Sequence, residues 1–259
     1  MTRPFQMIPK VIHYCWFGGG PLPPLAVRCI ESWRKFLPDY EIRRWTEAEF
    51  DVGAAAYARE AYEAGKYAFV SDYARFWILY HYGGIYFDTD VEVIAGMDDI
   101  IARGPFMGFE MDCAAGGRDM AVAPGLGLGA EPGMEFYASM LGIYDGMHFS
   151  FGDEDKVPTV VRHTTDLLRT MGLEDNRERK VVHIAGMDIY PSEYFCPLSN
   201  ETFRLNITPN TVAIHHFMAS WKSPSRVRKA RKTIIRLFGK KFYDRLRAFK
   251  LKIFPKPWK

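Results

Sequence analysis

The first part of the chain alternates short apolar runs with stretches of helical periodicity. Residues 9–16 (PKVIHYCW) predict a β-strand that ends before Gly18-Gly19-Gly20. Apolar residues then recur every three or four positions from Leu25 to Phe36, which predicts a helix that stops at Pro38. Residues 40–45 predict a second short strand. Strands that alternate with helices are typical of an α/β domain with a largely parallel sheet.

The pattern continues through a helix rich in aromatic residues. Thr46 and Glu49 have the spacing of a capping box, which marks a helix start. Aromatic residues from Phe69 to Tyr80 predict a helix that Gly83-Gly84 ends. Residues 85–93 (IYFDTDVEV) then predict one strand interrupted by acidic residues.

The second half gives a coarser prediction. Residues 104–133 are rich in glycine, so we expect mainly loops there. Helical spacing predicts helices near residues 133–145 and 158–171. Residues 211–216 (TVAIHH) predict a last strand.

The composition indicates an ordinary globular protein. The chain has 259 residues, of which 48% are hydrophobic and 25% charged, so a disordered, collagen-like or disulfide-dense chain is excluded. Its four cysteines include no CxxC pair, which gives no sign of a zinc knuckle or a redox pair. The start lacks a run of signal-peptide length, and no stretch reaches the ~18 apolar residues of a membrane span. We therefore expect a protein of the reducing cytoplasm.

Charge divides the chain into two parts. Residues 222–259 contain fifteen Lys or Arg residues and one acidic residue, a formal charge of +14. The preceding residues carry nineteen basic and thirty acidic side chains, a formal charge of −11. This shift predicts a catalytic domain over residues 1–221 and a basic tail over residues 222–259.

The candidate chemistry concentrates around Asp88 and Asp90. In a strand, residues two apart point to the same side, so the two carboxylates would repel each other unless a cation neutralises them. Oxygen ligands suit Mg²⁺ or Mn²⁺, which bind one or two carboxylates together with substrate phosphates. The alternative is that both residues end an edge strand and face solvent.

Further candidates lie before and after this pair. Asp72 and Arg75 are three residues apart on one helical face, as either a surface ion pair or a buried functional pair. His215 and His216 end the last predicted strand, where one could bind a metal or both could be structural. Trp16 could stack on a nucleobase or belong to the core.

Three sequence blocks resemble one known family. IPKVIHYCWFGG near the start, SDYARFWILYHYGGIYFDTDVEV in the middle and HHFMASW near residue 220 occur in order over residues 8–221. Together they resemble glycosyltransferase family 32, the DXD-containing sugar transferases of bacterial surface-polysaccharide loci and of yeast Golgi mannosylation. The clostridial glucosylating toxins carry a related pattern.

The resemblance implies a GT-A type nucleotide-sugar-binding fold with a mostly parallel central sheet, and the basic helical tail adds to it. It also implies a retaining glycosyltransferase that uses Mn²⁺ or Mg²⁺. The expected donor is a nucleotide-sugar, UDP-hexose in preference to GDP-mannose. The expected acceptor is a surface polysaccharide or a lipid-linked glycan.

Site residues follow from the same resemblance. The expected catalytic residues are Asp72, Arg75, Asp88 and Asp90. The expected donor-binding residues are Trp16, Asp72, Arg75, Tyr86, Asp88, Ser220 and Trp221. The expected metal ligands are Asp88, Asp90 and His216, with His215 as the next choice. The glycine run at residues 125–131 lacks the strand-then-helix context of a dinucleotide fingerprint, but it could let backbone approach the sugar or acceptor.

Two other functions fit the same residues. A metal-dependent nucleotide-sugar or phosphoester hydrolase could use Asp88 and Asp90, and acceptor-stimulated turnover would separate it from a transferase. An inactive nucleotide-sugar-binding module would bind UDP or GDP without turning the donor over.

The tail has the pattern of a basic amphipathic helix. Apolar residues recur every three or four positions between Ile234 and Ile253, Lys and Arg lie between them, and Gly239 could kink the helix. This pattern predicts that residues 224–254 bind an anionic membrane surface, which would place the protein on the inner face of the cell membrane. The alternatives are packing on the acidic domain and an oligomer contact. No nucleic acid partner is expected, because the tail has no recognisable reading motif.

Overall fold

A computed structural model describes residues 7–113, 120–150 and 159–218, and six residues of the tail. The first half contains β1 (Val11–Cys15), α1 (Pro24–Phe36), β2 (Glu41–Trp45), α2 (Ala56–Glu63), α3 (Tyr67–Tyr82), β3 (Gly84–Tyr86) and β4 (Val91–Val93). The second half contains α4 (Asp98–Ile101), β5 (Phe106–Met111), β6 (Ala121–Ala123), β7 (Leu128–Ala130), α5 (Glu135–Asp145), α6 (Val160–Thr170), β8 (Val182–Ile184), β9 (Met187–Tyr190), α7 (Ser192–Phe195) and β10 (Ala213–His215).

The central sheet has the order β2-β1-β3-β7-β5-β9-β8, and β6 also pairs with β5. Strand β1 runs parallel to both β2 and β3, and β5 runs parallel to β9. The pairings of β7, β6 and β8 are antiparallel. A second, two-stranded sheet joins β4 to β10. The predicted α/β class is confirmed.

The chain divides into two compact units. One comprises residues 1–197 and 207–221, and the other comprises residues 198–206 and 222–259. The predicted domains, residues 1–221 and 222–259, stay a prediction.

Most of the predicted helices are confirmed, and one strand prediction is wrong. The helices near residues 133–145 and 158–171 are α5 and α6. The single strand predicted over residues 85–93 is instead β3 and β4, which lie in different sheets and are joined by a turn in which the Val91 N–H bonds the Asp88 carbonyl at 3.0 Å. The carboxylates of Asp88 and Asp90 therefore project from this turn and not from one strand face.

Two further local predictions differ from the structure. The glycine-rich segment of residues 104–133 contains β5, β6 and β7, because glycine there makes room for aromatic rings: a Cβ at Gly129 would overlap the Phe106 ring. Thr46 and Glu49 are hydrogen-bonded, since the Glu49 carboxylate accepts the Thr46 N–H at 2.9 Å and the Thr46 hydroxyl at 2.6 Å, but the Thr46 hydroxyl accepts the N–H of Ala48, at 3.2 Å, and not that of Glu49. They close a turn and not a helix, since the next helix begins at Ala56.

Helix α1 holds the second sheet against the core. The fully buried Trp33 donates its indole N–H to the Val91 carbonyl at 2.7 Å. The Ser32 hydroxyl accepts the Val93 N–H at 2.9 Å. These bonds satisfy backbone groups of β4 and fix the strand that follows Asp90.

Six tail residues are described: Thr233, Ile235, Gly239, Phe242, Tyr243 and Arg245. Helical i→i+4 backbone bonds join Gly239 to Ile235 at 2.8 Å and Tyr243 to Gly239 at 3.2 Å. Gly239 has a φ of 83°, which agrees with the predicted interruption. Within the described parts of the chain, no helix combines the length and apolar character of a membrane span.

His13 ties β1 to the turn between α3 and β3. The buried ring donates from Nε2 to the Gly83 carbonyl and accepts the Trp45 indole N–H at Nδ1, each at 3.0 Å. Both bonds require the neutral ring. Burial lowers the pKa of His13 to about 4, although the Gly83 carbonyl opposes that shift.

We predict that acid destabilises the fold through His13. Between pH 6.5 and 4 the unfolded chain binds a proton at His13 that the folded chain does not, so stability falls as the pH decreases, by about 3 kcal/mol at most. Urea unfolding at pH 7, 5.5 and 4.5 measures this slope. His13→Gln should flatten it, whereas substitution of the exposed His81 by Gln should not. An unchanged slope in His13→Gln would contradict the assignment.

Candidate active site

The predicted site residues meet at one edge of the central sheet. Because β1 and β3 are parallel neighbours, with His13 opposite Tyr86, their carboxyl ends open on the same edge. Trp16 follows β1 directly, and the turn that carries Asp88 and Asp90 follows β3. Open α/β sheets bind ligands at this edge of their strands.

Arg75 organises one side of the site from the buried face of α3. Its side chain is 4% exposed, and its Nη2 lies 2.8 Å from Asp72 Oδ1 and 3.2 Å from Asp88 Oδ1. Its Nε donates to the Ser71 carbonyl, and its guanidinium carbon lies 5.1 Å from the centre of the Tyr86 ring. The predicted pair is therefore a buried triad in which one arginine holds two carboxylates.

The charges of this triad are tightly coupled. Burial raises the pKa of Asp72 to about 7, and Arg75 opposes the shift. Burial also raises the pKa of Asp88, again against Arg75. Burial alone would lower the pKa of Arg75, but Asp88 and Tyr86 outweigh it and raise that pKa, so the arginine stays charged. The site thus carries more acid than its single arginine can neutralise.

Asp90 connects the turn to the strand β10. Burial favours a higher pKa for Asp90, but His215 and the Met218 N–H outweigh burial and lower it. Its Oδ2 accepts the Met218 N–H at 2.6 Å, and its backbone carbonyl accepts the His216 N–H at 3.0 Å. Its Oδ1 lies 3.3 Å from His215 Nε2. Asp90 is therefore ionised and fixed in place.

Asp88, Asp90 and His215 form a candidate metal centre. One ligand atom from each lies within 4.8 Å of the other two. Two carboxylates and an imidazole suit a divalent cation such as Mn²⁺. Burial works against a charged His215, but Asp90 and the neighbouring Cys196 thiol raise its pKa well above the usual value. The residues fit a cation, because the carboxylate of Asp90 already favours the positive charge of a protonated His215.

The structure separates the two neighbouring histidines. His216, the predicted ligand, points away from the centre, with its Nε2 2.7 Å from Glu92 Oε2. Arg28 lies 3.8 Å from the same oxygen. Successive residues at the end of a strand face opposite sides, so only one histidine can join Asp88 and Asp90. In this geometry His215, the second choice from the sequence, lies beside Asp88 and Asp90 and His216 does not, while the metal-binding role itself stays a prediction.

A glycine completes the site in a way the sequence pattern did not identify. Strands β6 and β7 both run antiparallel to β5, and the chain between them passes the Asp88 side chain. The Gly125 carbonyl accepts the Asp88 N–H at 3.3 Å, and a Cβ at Gly125 would overlap the Asp88 carboxylate. The glycine run predicted to approach a sugar or acceptor thus packs on the DXD carboxylate. The pattern alone did not indicate which group the backbone would approach.

The remaining predicted donor-binding residues differ in position. Trp16 is half-buried, and its indole N–H donates to the Gly20 carbonyl at 2.7 Å. Tyr86 is fully buried beneath the triad and donates its hydroxyl to Asp88 at 3.2 Å. The predicted contact of Tyr86 with the donor stays a prediction. Ser220 and Trp221 lie outside the described residues.

Part of the chain is similar to known proteins. A family model described as "Glycosyltransferase sugar-binding region containing DXD motif" matches residues 23–107. Inositol phosphoceramide mannosyltransferase 1 of Schizosaccharomyces pombe (strain 972 / ATCC 24843) is 29% identical over 113 residues, which are 39% of this chain and 34% of that protein. Inositol phosphoceramide mannosyltransferase 3 of the same organism is 34% identical over 98 residues, 36% of this chain and 27% of that protein. The chain thus matches about a third of the length of these relatives.

One solved structure, "PaToxG Glycosyltransferase", has a TM-score of 0.48 and 16% identity, covering 64% of this chain and 71% of that one. The family region contains the Arg75 triad and two of the three candidate metal ligands, and the relatives that match are glycosyltransferases by name. Residues 23–107 therefore match the DXD-containing sugar-binding region of glycosyltransferases, and the resemblance predicted from the sequence is confirmed.

Proposed function

We propose that this chain is a divalent-cation-dependent glycosyltransferase that moves a hexose from a nucleotide-sugar to a glycan acceptor. The observation that carries the proposal is the convergence of Asp88, Asp90 and His215 beside the buried Arg75 triad. This convergence lies at the sheet edge where α/β folds bind nucleotides. UDP-hexose is the first candidate donor, and the names of the mannosyltransferase relatives support GDP-mannose as the second.

The chain's own residues would share the work as follows. Asp88, Asp90 and His215 would hold Mn²⁺ or Mg²⁺, which supplies positive charge for the diphosphate leaving group. Arg75 keeps Asp88 in place, and with Asp72 it borders the space for the donor sugar. Trp16, directly after β1, would stack on the nucleobase. Retention of the anomeric configuration rests on the family resemblance, and the anomeric coupling in the NMR spectrum of the product would report it.

For the acceptor, we propose a surface polysaccharide or a lipid-linked glycan. The support comes from the basic pattern of residues 224–254, which suits an anionic membrane surface. A peripheral position on the inner face of the cell membrane would bring the site to lipid-linked acceptors.

The first test is a thermal-shift panel of UDP and GDP, each with Mn²⁺, Mg²⁺ or EDTA. A ligand that binds only the folded chain stabilises it by about 2.7 kcal/mol at 100 times its dissociation constant, so we expect a cation-dependent rise of several degrees with one nucleotide. Asp90→Asn should remove the cation dependence, whereas substitution of the exposed Asp39 by Asn should not. Shifts that persist in EDTA, or none with either nucleotide, would contradict the proposal.

Turnover then separates the three functions. A transferase consumes its nucleotide-sugar faster when acceptor is added, a hydrolase does not respond to acceptor, and a binding module shows the thermal shift without consuming the donor. Product glycan detected by mass spectrometry confirms transfer.

The two histidines give a sharper test of the cation site. His215→Ala removes a ligand and should weaken Mn²⁺ binding at least ~10-fold, by analogy with losses of 10–100-fold for outer-shell partners. His216→Ala is the matched control, and we expect Mn²⁺ affinity close to that of the native chain, because His216 bonds Glu92 instead. Calorimetric titration with Mn²⁺ measures both. A larger loss in His216→Ala would restore the sequence-based assignment.

The membrane proposal predicts a charge-dependent association. Each basic residue near an anionic surface contributes ~1 kcal/mol, so replacing Arg228, Lys229 and Arg231 by Gln should weaken binding to phosphatidylserine vesicles ~100-fold. Three exposed basic residues between α6 and β8, Arg177, Arg179 and Lys180, provide a control of equal charge change. Sedimentation with vesicles is the measurement. Equal binding by the native chain and the tail variant would favour packing or oligomer contact for the tail.

A further inference from the structure

Glu110 is an acidic residue at the carboxyl edge of the central sheet that the proposed cation site and donor contacts do not use. It lies near the end of β5, at a bulge between two residues that pair with β6, Phe109 and Met111. Bulges often re-aim a side chain next to a functional site. Glu110 is half-buried, in contrast to the four fully buried residues that precede it in β5.

The surroundings of Glu110 connect it to the candidate metal centre. Burial raises the pKa of Glu110, and the charge of His215 opposes that shift. Burial is the main cause of the raised pKa of the Cys196 thiol. His215 lowers that pKa, and Glu110 raises it further. The Cys196 thiol therefore hydrogen-bonds His215, and Glu110 lies within electrostatic range of both side chains.

The strand order shows which part of a substrate this carboxylate would meet. Across the sheet, the strands at the site follow the order β1, β3, β7 and β5, and β6 also pairs with β5. Trp16 follows β1, Asp88 follows β3, and Glu110 lies on β5. Neighbouring strands are ~4.8 Å apart, so β3 and β5 are separated by ~10 Å. With the base near Trp16 and the diphosphate near Asp88, the space beside β5 falls beyond the diphosphate.

We propose, on the basis of the function proposed above, that Glu110 binds a hydroxyl group of the acceptor sugar. A carboxylate can accept two sugar hydroxyls at once, and hydrogen bonds to a charged acceptor are stronger than those between neutral groups. On this proposal Asp72 and Arg75 hold the donor side and Glu110 holds the acceptor side of one cleft. The cation lies between them.

The test measures saccharide binding separately from nucleotide binding. The probe is methyl α-mannoside, titrated into the full chain with Mn²⁺ and whichever nucleotide raises its melting temperature, and followed by saturation-transfer NMR. Glu110→Gln should weaken glycoside binding ~10-fold, as expected for loss of a hydrogen bond to a charged group, and Glu110→Asp should weaken it less. Glu41→Gln is the matched control, because this exposed residue begins β2 at the opposite edge of the sheet.

Nucleotide binding and donor hydrolysis by water are the further measurements. Both should stay within about twofold of the native values in Glu110→Gln, since glutamine keeps the size of the side chain and Glu110 is not among the proposed cation ligands or donor contacts. Unchanged glycoside affinity, no glycoside binding by the native chain, or a parallel loss of donor hydrolysis would each overturn the proposal. If the native chain shows no cation-dependent nucleotide shift, the proposed function has failed first.

Discussion

The candidate active site depends on a buried charge, the guanidinium of Arg75. A cation inside a protein is costly unless opposite charges and hydrogen bonds surround it. Asp72 supplies one partner from the same helix and Asp88 supplies the other from the turn after β3. Because α3 is buried on the face that carries Arg75, the helix fixes where the turn can lie. Gly125 then closes the site from a third segment, and only a residue without a side chain fits against Asp88.

The DXD turn also joins two sheets, which explains its shape. Strand β3 belongs to the central sheet, whereas β4 pairs with β10 and receives bonds from α1. The chain must leave one sheet and enter the other between Phe87 and Val91. As a result Asp88 faces Arg75 while Asp90 faces His215. The two carboxylates of the motif therefore have different partners and opposite pKa shifts.

The sequence predicted the helices, whose apolar residues recur with a local period. It did not predict the features that depend on packing between distant parts of the chain. Apolar spacing located α1, α3, α5 and α6, because each helix buries one face. Residues 85–93 looked continuous because Phe87 and Val91 are both buried, so the apolar pattern passes through the break. The strands within residues 104–133 were missed because aromatic rings from distant parts of the chain occupy the space beside their glycines. The Phe195 ring, for example, packs against Gly108. The choice between His215 and His216 depends on the register of β10 with β4, which no local pattern contains.

The charges at the site explain why its residues suit a cation. Asp72, Asp88 and Asp90 are three acids, and Arg75 with a protonated His215 offsets two of them. Burial makes the remaining negative charge costly, as the raised pKa values of Asp72 and Asp88 show. A divalent cation bound to Asp88, Asp90 and His215 would displace the histidine proton and bring the five side chains and the ion to neutrality. Proton release and cation binding are therefore linked at this site. Without a cation, the proton on His215 supplies positive charge next to Asp90, where a bound cation would supply it instead.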